Sequence, residues 1–451
     1  MDTSNLFTVA LNLGNPWSVS KVDFIPATDN PTQMELHIWV SYPDSTKFPC
    51  PTEGCGEMCP QHDYEERVWR HLNFFQHKTF IHAKLPRVRC KNHGVSTVDV
   101  PWARKGSGFT LLFEAWVIEL AKHLPVDVIA KMVGEHDTRL WRFIKKYTEE
   151  ARVLDDQSGV NKIGMDETST KGQNYVTVVA DLEAHRVIYV TEGKDSTTVN
   201  RFVEDFQTHG GKPDDIQIVT CDMALGFRKG INDNFKNSTT IIDKFHVIKH
   251  VNDAVDATRK AEVKTNSELS RTKYIWLKND ENLSDRQRAQ KESLCKKHLK
   301  TARAYSMRVE LQDIYNSCET REDAEPRMNK LCSWMMHSRL PEMKKFCGTL
   351  KNHWDEILNY FDNKYTNATL EGINSIIQNI KRRARGFRNK EYFKTMIYLV
   401  CGDLDYDAVI TYISHLNMVN FVLLYLCKKI SYRKSFGIYH RAAPGFCWPA
   451  R

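Results

Sequence analysis

The chain has 451 residues, enough for roughly two to four domains of ordinary size, so a multidomain protein is the starting expectation. Sixty-four lysines and arginines oppose 56 acidic residues, a net charge of +8 that favours a polyanionic partner without demanding one. The strongest apolar stretch, Met418 to Cys427, falls short of the roughly 20 residues a membrane span needs, and the N-terminus lacks the features of a secretory signal. No membrane association and a cytoplasmic location are therefore expected.

Residues 1–46 contain one clear period-two stretch, Gln33 to Val40, which reads as a small β-element. Four of the twelve cysteines then crowd one region, 47–94. Cys50 and Cys55 lie on a first knuckle, Cys90 and His93 form a Cys-x-x-His on a second, and Cys59 is a spare that competes with Cys55. Two such knuckles can surround one zinc ion tetrahedrally within a β-rich ribbon, and four protein ligands leave no open position for catalysis. The remaining cysteines are scattered through helical stretches and read as small core residues in a reducing compartment.

From Phe109 the hydrophobic period becomes helical. Residues 104–152 read as three helices: Phe109 to His123, a second starting at Pro125 and broken by Gly134, and a third from Asp137. A short helix, a glycine turn and a helix carrying Arg139, Arg142, Lys145 and Lys146 is the pattern of a helix-turn-helix that lays its last helix in a DNA groove. Three-helix packing without DNA would also leave charges outside.

Residues 160–260 alternate strand and helix signals. Ile163 to Asp166, Asn174 to Ala180 and Val187 to Thr191 read as strands, and Thr197 to Phe206 as an amphipathic helix. Ile216 to Thr220 then leads into Asp222, a helix runs through Phe235, and Thr240 to Ile242 precedes Asp243 and a helix from Phe245. That order is the order of a ribonuclease H-like α/β domain. Residues 261–355 show only helical, highly charged sequence, with Trp276, Leu331, Trp334 and Met335 to build a core, and read as an all-helical insertion. Residues 356–402 return to the catalytic domain, and 403–451 form a tail of unreadable role.

Asp166 and Asp222 are each placed just past a buried strand, in the crevice at the strand ends. Glu371 sits on a helix with Leu370, Ile373, Ile376/Ile377 and Ile380 as its buried stripe, while Ser375, Gln378 and Arg382 share the Glu371 face. Phosphodiester cleavage needs an activated oxygen, a stabilised leaving oxygen and neutralisation of the phosphate between them. Two hard divalent cations held by carboxylates supply all three. The basic run Lys381, Arg382, Arg383, Arg385, Arg388 and Lys390 follows Glu371, and next to such a site it would grip flanking phosphates. Gly386 with Phe387 is expected to end the helix.

The segments GMDET, TCDMALGF, IDKFHVIKHVNDAVD, YIWLKNDENL and TNATLEGINSIIQNIKRRARGFRN together resemble the transposases of bacterial insertion sequences of the ISL3 family. RVWRHLNFFQHKTFIHAKLPRVRCKNHG and VPWARKGSGFTLLFEA resemble that family's zinc-binding and helix-turn-helix segments. The resemblance covers roughly residues 47 to 402. It implies a DDE triad of Asp166, Asp222 and Glu371, magnesium or manganese at two ions per site, cut-and-join chemistry at terminal inverted repeats, and a dimer or larger assembly on double-stranded DNA. Two departures are the Cys50-x4-Cys55 spacing, where the family usually has Cys-x2-Cys, and the tail after Asp405. A DNA-binding regulator without cleavage and a ribonuclease H-like nuclease of other substrates are the competing readings; retention of all three acids argues against the first, and two N-terminal DNA-reading modules against the second.

Overall fold

The computed structural model describes residues 2–169, 175–193, 195–223 and 225–410. The Met418–Cys427 stretch, most of the tail, and Asn174 at the start of an expected strand lie outside them. Two compact units divide the chain, one holding residues 1–147 and the stretch from 405, the other 148–404.

The first unit opens with α1 (Thr3–Ala10) and the strands β1 (Ser18–Pro26), β2 (Met34–Ser41), β3 (Lys47–Pro49), β4 (Met58–Phe74), β5 (His77–Cys90) and β6 (Gly94–Thr97). They form one sheet ordered β1-β2-β5-β4-β3, with β6 also on β5. The expected break near residue 46 is thus not a break in the sheet: β2 pairs with β5 in parallel from Leu36↔Thr79 to Val40↔Ala83. Alternation explains why. Leu36, Ile38 and Val40 project into the same core as Trp69, Ile81, Ala83 and Trp102, and sealing that face requires both stretches.

Helices α2 (Leu111–His123), α3 (Val126–Val133) and α4 (Asp137–Val153) follow. Thr110 caps α2, its hydroxyl accepting from Phe113 N at 3.3 Å. Gly134 ends α3 in the left-handed region at φ 68°, where a side chain would be strained. Glu114, fully buried, accepts from Arg104 Nε and Nη2 at 3.0 Å each, Ser107 Oγ at 2.7 Å and Tyr147 O–H at 2.6 Å. A buried carboxylate is tolerable only when its lone pairs are answered in this way, and here it fastens α2 to α4.

In the second unit the elements come in the expected order: β7 (Lys162–Ser169), β8 (Tyr175–Asp181), β9 (Arg186–Glu192), α5 (Ser196–Thr208), β10 (Ile218–Cys221), α6 (Leu225–Asn234), β11 (Thr239–Ile242) and α7 (Lys244–Val263). The sheet order is β11-β10-β7-β8-β9. β8 is antiparallel to both of its neighbours, β7 and β9, whereas β10 joins β7 and β11 joins β10 in parallel. β8 and β10 are almost wholly buried, so they read as continuous apolar runs rather than alternating ones.

Every remaining described element is helical: α8 (Lys273–Leu277), α9 (Asp285–Cys295), α10 (Lys300–Ser317), α11 (Arg321–His337), α12 (Pro341–Asn352), α13 (Trp354–Asn363), α14 (Ala368–Arg383) and α15 (Lys390–Cys401). Trp276, Leu331 and Met335 are buried with Met307, Phe346 and Phe361 in one core. Trp334, expected there too, is 43% exposed: Leu331 and Met335, four apart, already occupy the inner face of α11, and Trp334 falls on the other. Among the described residues no helix is long and apolar enough to cross a membrane.

Candidate functional site

Thr220 on β10 pairs with Gly164 on β7. Two residues further along each strand come Asp222 and Asp166. Asp222 stands just past the end of β10, as expected. Asp166 does not stand past its strand; it lies inside β7, paired with Val178 of β8. The correction has a simple cause, since β8 continues to pair with β7 after β10 has stopped, so the strand runs on while its far side opens.

Helix α14 lies along this open stretch. Leu370, Ile373, Ile377 and Ile380 are buried, and each contributes on the order of 1.5 to 3 kcal/mol by leaving water. Ile376, an alternative member of that stripe, is 44% exposed. Beside the stripe, Asn374 Nδ2 donates to Asp166 Oδ2 at 2.6 Å, Gln378 Nε2 to Thr168 Oγ1 at 2.8 Å and Lys381 Nζ to the Ser169 carbonyl at 2.9 Å. Four helical residues rise about 6 Å and two strand residues about 6.6 Å, so the two ladders stay in step. Gly164 permits the approach: a Cβ there would lie 2.6 Å from Leu370 Cδ1 and 2.9 Å from both Leu182 Cδ2 and Thr220 Oγ1.

Glu371 sits in the first turn of α14 and is exposed on the crevice side. Two further groups, absent from the expected set, complete the surroundings. Asp243, 2% exposed, follows β11 and precedes α7; its Oδ1 accepts from Asn367 N at 3.2 Å and its Oδ2 stands 3.3 Å from His246 Nδ1. It therefore fixes the start of α14, one turn before Glu371. The signal for it was a short buried strand ending in acid, the pattern that marked Asp222.

Electrostatically the crevice holds too much negative charge for its solvation. Burial pushes the Asp166 carboxyl above its ordinary range, and the charges of Asp222 and Asp243 add to this. Burial and the Asp243 and Asp166 charges raise Glu371 as well. His246 is held toward its protonated form by its hydrogen bond to Asp243 and by the neighbouring carboxylates. The Asn374 Oδ1 and both polar side-chain atoms of Asn367 are buried without a partner. An oxygen-rich, under-neutralised crevice suits hard divalent cations.

The basic run is divided by the structure. Lys381, Arg382 and Arg383 fill the last turn of α14, where cations also offset the helix dipole. The helix is capped by Ala384, and the chain turns away through Arg385 in the left-handed region at φ 55°, with Gly386 N closing back on Lys381 O at 2.8 Å; the turn thus begins one residue ahead of the expected Gly386. Arg382, Arg383, Arg385 and Arg388 are exposed, while Lys390 pairs with Glu192.

In the first unit Cys50, Cys55, Cys90 and His93 bring four ligand atoms within 4.8 Å of one another. Cys55 Sγ to Cys90 Sγ is 3.8 Å, Cys50 Sγ to His93 Nδ1 3.7 Å and Cys90 Sγ to His93 Nδ1 3.4 Å. A tetrahedral zinc with ordinary bond lengths has edges of about 3.8 Å between sulfurs and about 3.6 Å between sulfur and nitrogen. The four residues fit the ion. Cys59 instead donates to the Glu57 carbonyl at 3.4 Å and groups with Glu57 and Cys90. Gly54 and Gly56, at φ 77° and 61°, turn the knuckle so that Cys55 faces inward.

On α4, Arg142 and Lys146 are exposed and Lys145 half-buried. Arg139 is engaged by Glu135 and lies over the Phe109 ring, 4.5 Å from its centroid.

A family model described as transposase matches residues 163–397. The chain belongs to the ISL3 family of transposases. Residues 98–148 match the helix-turn-helix domain of that family, and residues 47–93 the zinc-finger of transposase IS204/IS1001/IS1096/IS1165. The transposase for insertion sequence element IS1557 of Mycobacterium tuberculosis is 24% identical over 375 residues, 75% of this chain and 82% of its own length. That for element IS1001 of Bordetella parapertussis is 25% identical over 355 residues, 76% and 86% of the two chains. Membership makes this a DNA-binding chain with a helix-turn-helix and a zinc ribbon, in a family of DNA-cleaving and DNA-joining enzymes.

Proposed function

We propose that the chain binds the terminal inverted repeats of its insertion sequence and catalyses metal-dependent cleavage and strand transfer, with Asp166, Asp222 and Glu371 as the DDE triad. The observation that carries this reading is the convergence of three sequence-distant acids on one crevice: β7 and β10 are adjacent, and α14 is bolted to β7 beside them. Three antiparallel strands extended by two parallel ones, with the all-helical run between β11 and α14, support a ribonuclease H-like domain carrying a helical insertion.

Asp166, Asp222 and Glu371 would hold two magnesium or manganese ions. When bound, such ions activate the attacking oxygen and stabilise the leaving one. The chain's own contribution is placement: Asn374 orients the Asp166 carboxylate, Asp243 anchors the first turn that carries Glu371, and Arg382, Arg383, Arg385 and Arg388 offer charge to the flanking phosphates. Cys50, Cys55, Cys90 and His93 would hold a structural zinc. Double-stranded DNA is the partner, bound by at least two copies of the chain at the nucleoid in the cytoplasm.

Purified chain with the DNA that flanks its reading frame, in magnesium, tests this. Element-end cleavage is expected, and Asp166→Asn, Asp222→Asn and Glu371→Gln should each abolish it while end binding persists, because the amides keep shape and lose charge. Binding without cleavage would identify a regulator, and cleavage indifferent to the ends a structure-directed nuclease. Substantial activity in any one variant removes that residue from the triad.

A further inference from the structure

Next to Glu371, a cleft of about 370 Å³ opens among the start of α7, α10 and the start of α14. Glu371 forms one wall; Ile248 and Tyr315 supply apolar surface, Gln312 and Asn316 supply amides, and Phe245 stands at the edge. Two features are costly unless something fills the cleft. Phe245 is 55% exposed although the residues on either side of it are drawn into the fold. The Tyr315 hydroxyl, on a residue only 5% exposed, is buried with no hydrogen-bond partner.

We infer that this cleft receives one unstacked nucleobase of the DNA strand being cut, lying against Phe245 with its edge read by Gln312 and Asn316; Tyr315, its ring already stacked on Phe361, borders the cleft. The chemistry is specific to such a ligand. A base is flat and apolar on its faces and carries donors and acceptors around its rim, which matches an exposed aromatic ring beside amides. The cleft sits at the small end of ligand pockets, too small for a duplex. Its position beside Glu371 lets a base enter while the phosphate attached to it stays at the carboxylates. Enzymes that do chemistry on a base inside a duplex extrude a nucleotide into a comparable pocket, so the unstacking cost of a few kcal/mol is one that proteins can meet.

The inference rests on the carboxylate crevice being the cleavage site, and the test separates the two. Element-end duplexes carrying 2-aminopurine at single positions on either side of the cut are mixed with the full-length chain, and fluorescence and cleavage are both followed. One position should brighten on binding. Phe245→Ala should lose that signal and slow cleavage roughly 5- to 150-fold, the range expected for one base–aromatic stack. An abasic residue at the same position should restore the variant, since no base then needs accommodation. Tyr315→Phe, which removes only the unpartnered hydroxyl, should shift the preference for the base at that position. Cleavage by the wild-type chain with no position brightening, or Phe245→Ala cutting at the wild-type rate, overturns the inference alone. No element-end cleavage by the wild-type chain overturns the underlying reading and the inference with it.

Discussion

Asn374 Nδ2 donates to Asp166 Oδ2 across 2.6 Å, linking α14 to β7 at a half-buried strand carboxyl surrounded by like charge. An amide N–H stabilises the ionised carboxylate and fixes which oxygen faces the crevice. Asn374→Ala should therefore leave the fold intact, lower cleavage by about 10- to 100-fold and raise the magnesium concentration needed for half-maximal rate, the usual cost of losing a group that orients a metal ligand. Titrating cleavage with magnesium decides it; an unchanged requirement would leave Asn374 with a packing role only.

Gly164 sets how closely α14 approaches. A methyl group there meets Leu370, Leu182 and Thr220 at once, so Gly164→Ala is expected to cost about 1 to 3 kcal/mol by overpacking. Leu370 is adjacent to Glu371, so activity should fall further than stability. Trimming the opposing side chain, Gly164→Ala with Leu370→Val, should recover part of both. Denaturation midpoints and cleavage rates of the single and double variants provide the measurement, and failure of the double variant to recover either would place the conflict elsewhere.

The clustering of Cys50, Cys90 and His93 was legible down to one ambiguity, whether Cys55 or Cys59 joins them, because clustered thiols have few other uses while the choice depends on two left-handed glycines that spacing alone does not reveal. Cys55→Ser should lose the metal and unfold the β3–β6 region, whereas Cys59→Ser should retain one zinc per chain, since metal binding there is part of folding. Metal analysis of both reduced variants settles it, and zinc lost from Cys59→Ser alone would reverse the assignment.

Asp222 was readable because a short buried run, Ile218 to Cys221, ends immediately before it. Asp166 was expected past its strand and lies inside it, since nothing in GMDETS tells that β8 outlasts β10 as a partner. Asp243 and Asn374 were missed for a different reason. The first looks like a helix N-cap and the second like any polar residue beside an apolar stripe; their roles exist only once β11, α7 and α14 are assembled. Patterns with period two or 3.6 report which face is buried, and say nothing of which polar side chain on the boundary meets a strand 208 residues away.

His71 on β4 receives a chain of hydrogen bonds. Phe113 N donates to the Thr110 hydroxyl, which lies 2.9 Å from His71 Nδ1. Burial, reinforced by the Arg70 guanidinium, holds the imidazole down to about 4 from 6.5. The unfolded chain takes up its proton first, so the contribution to stability is complete above about 6.5, falls as the pH drops toward 4, and is flat below. The span corresponds to about 2 kcal/mol once its partial exposure is discounted. His71→Gln should flatten the pH dependence of unfolding between pH 6.5 and 4. Taking the difference between wild type and variant cancels proton uptake by the zinc ligands, and identical slopes would mean that His71 does not titrate on unfolding.

Reading and gripping of DNA should separate between the two units. Arg142 is exposed on α4, whereas Arg139 is already held by Glu135 and Phe109. Arg142→Ala should accordingly reduce the preference for element ends over random DNA, by about 1 to 3 kcal/mol if its guanidinium reads a base edge; Arg139→Ala should act mainly by loosening the glycine turn between α3 and α4. On α14, Lys381 is committed to the Ser169 carbonyl, so its removal should disturb the site itself. Arg382, Arg385 and Arg388 are exposed, and neutralising them should weaken binding to every sequence alike. For every phosphate that no longer meets a cation, the dependence of log affinity on log salt should flatten by roughly 0.9. Affinities for cognate and random duplexes at several salt concentrations distinguish the two effects. If Arg142→Ala weakens both DNAs equally while the Arg382, Arg385 and Arg388 variants lose discrimination, the two regions have the opposite roles.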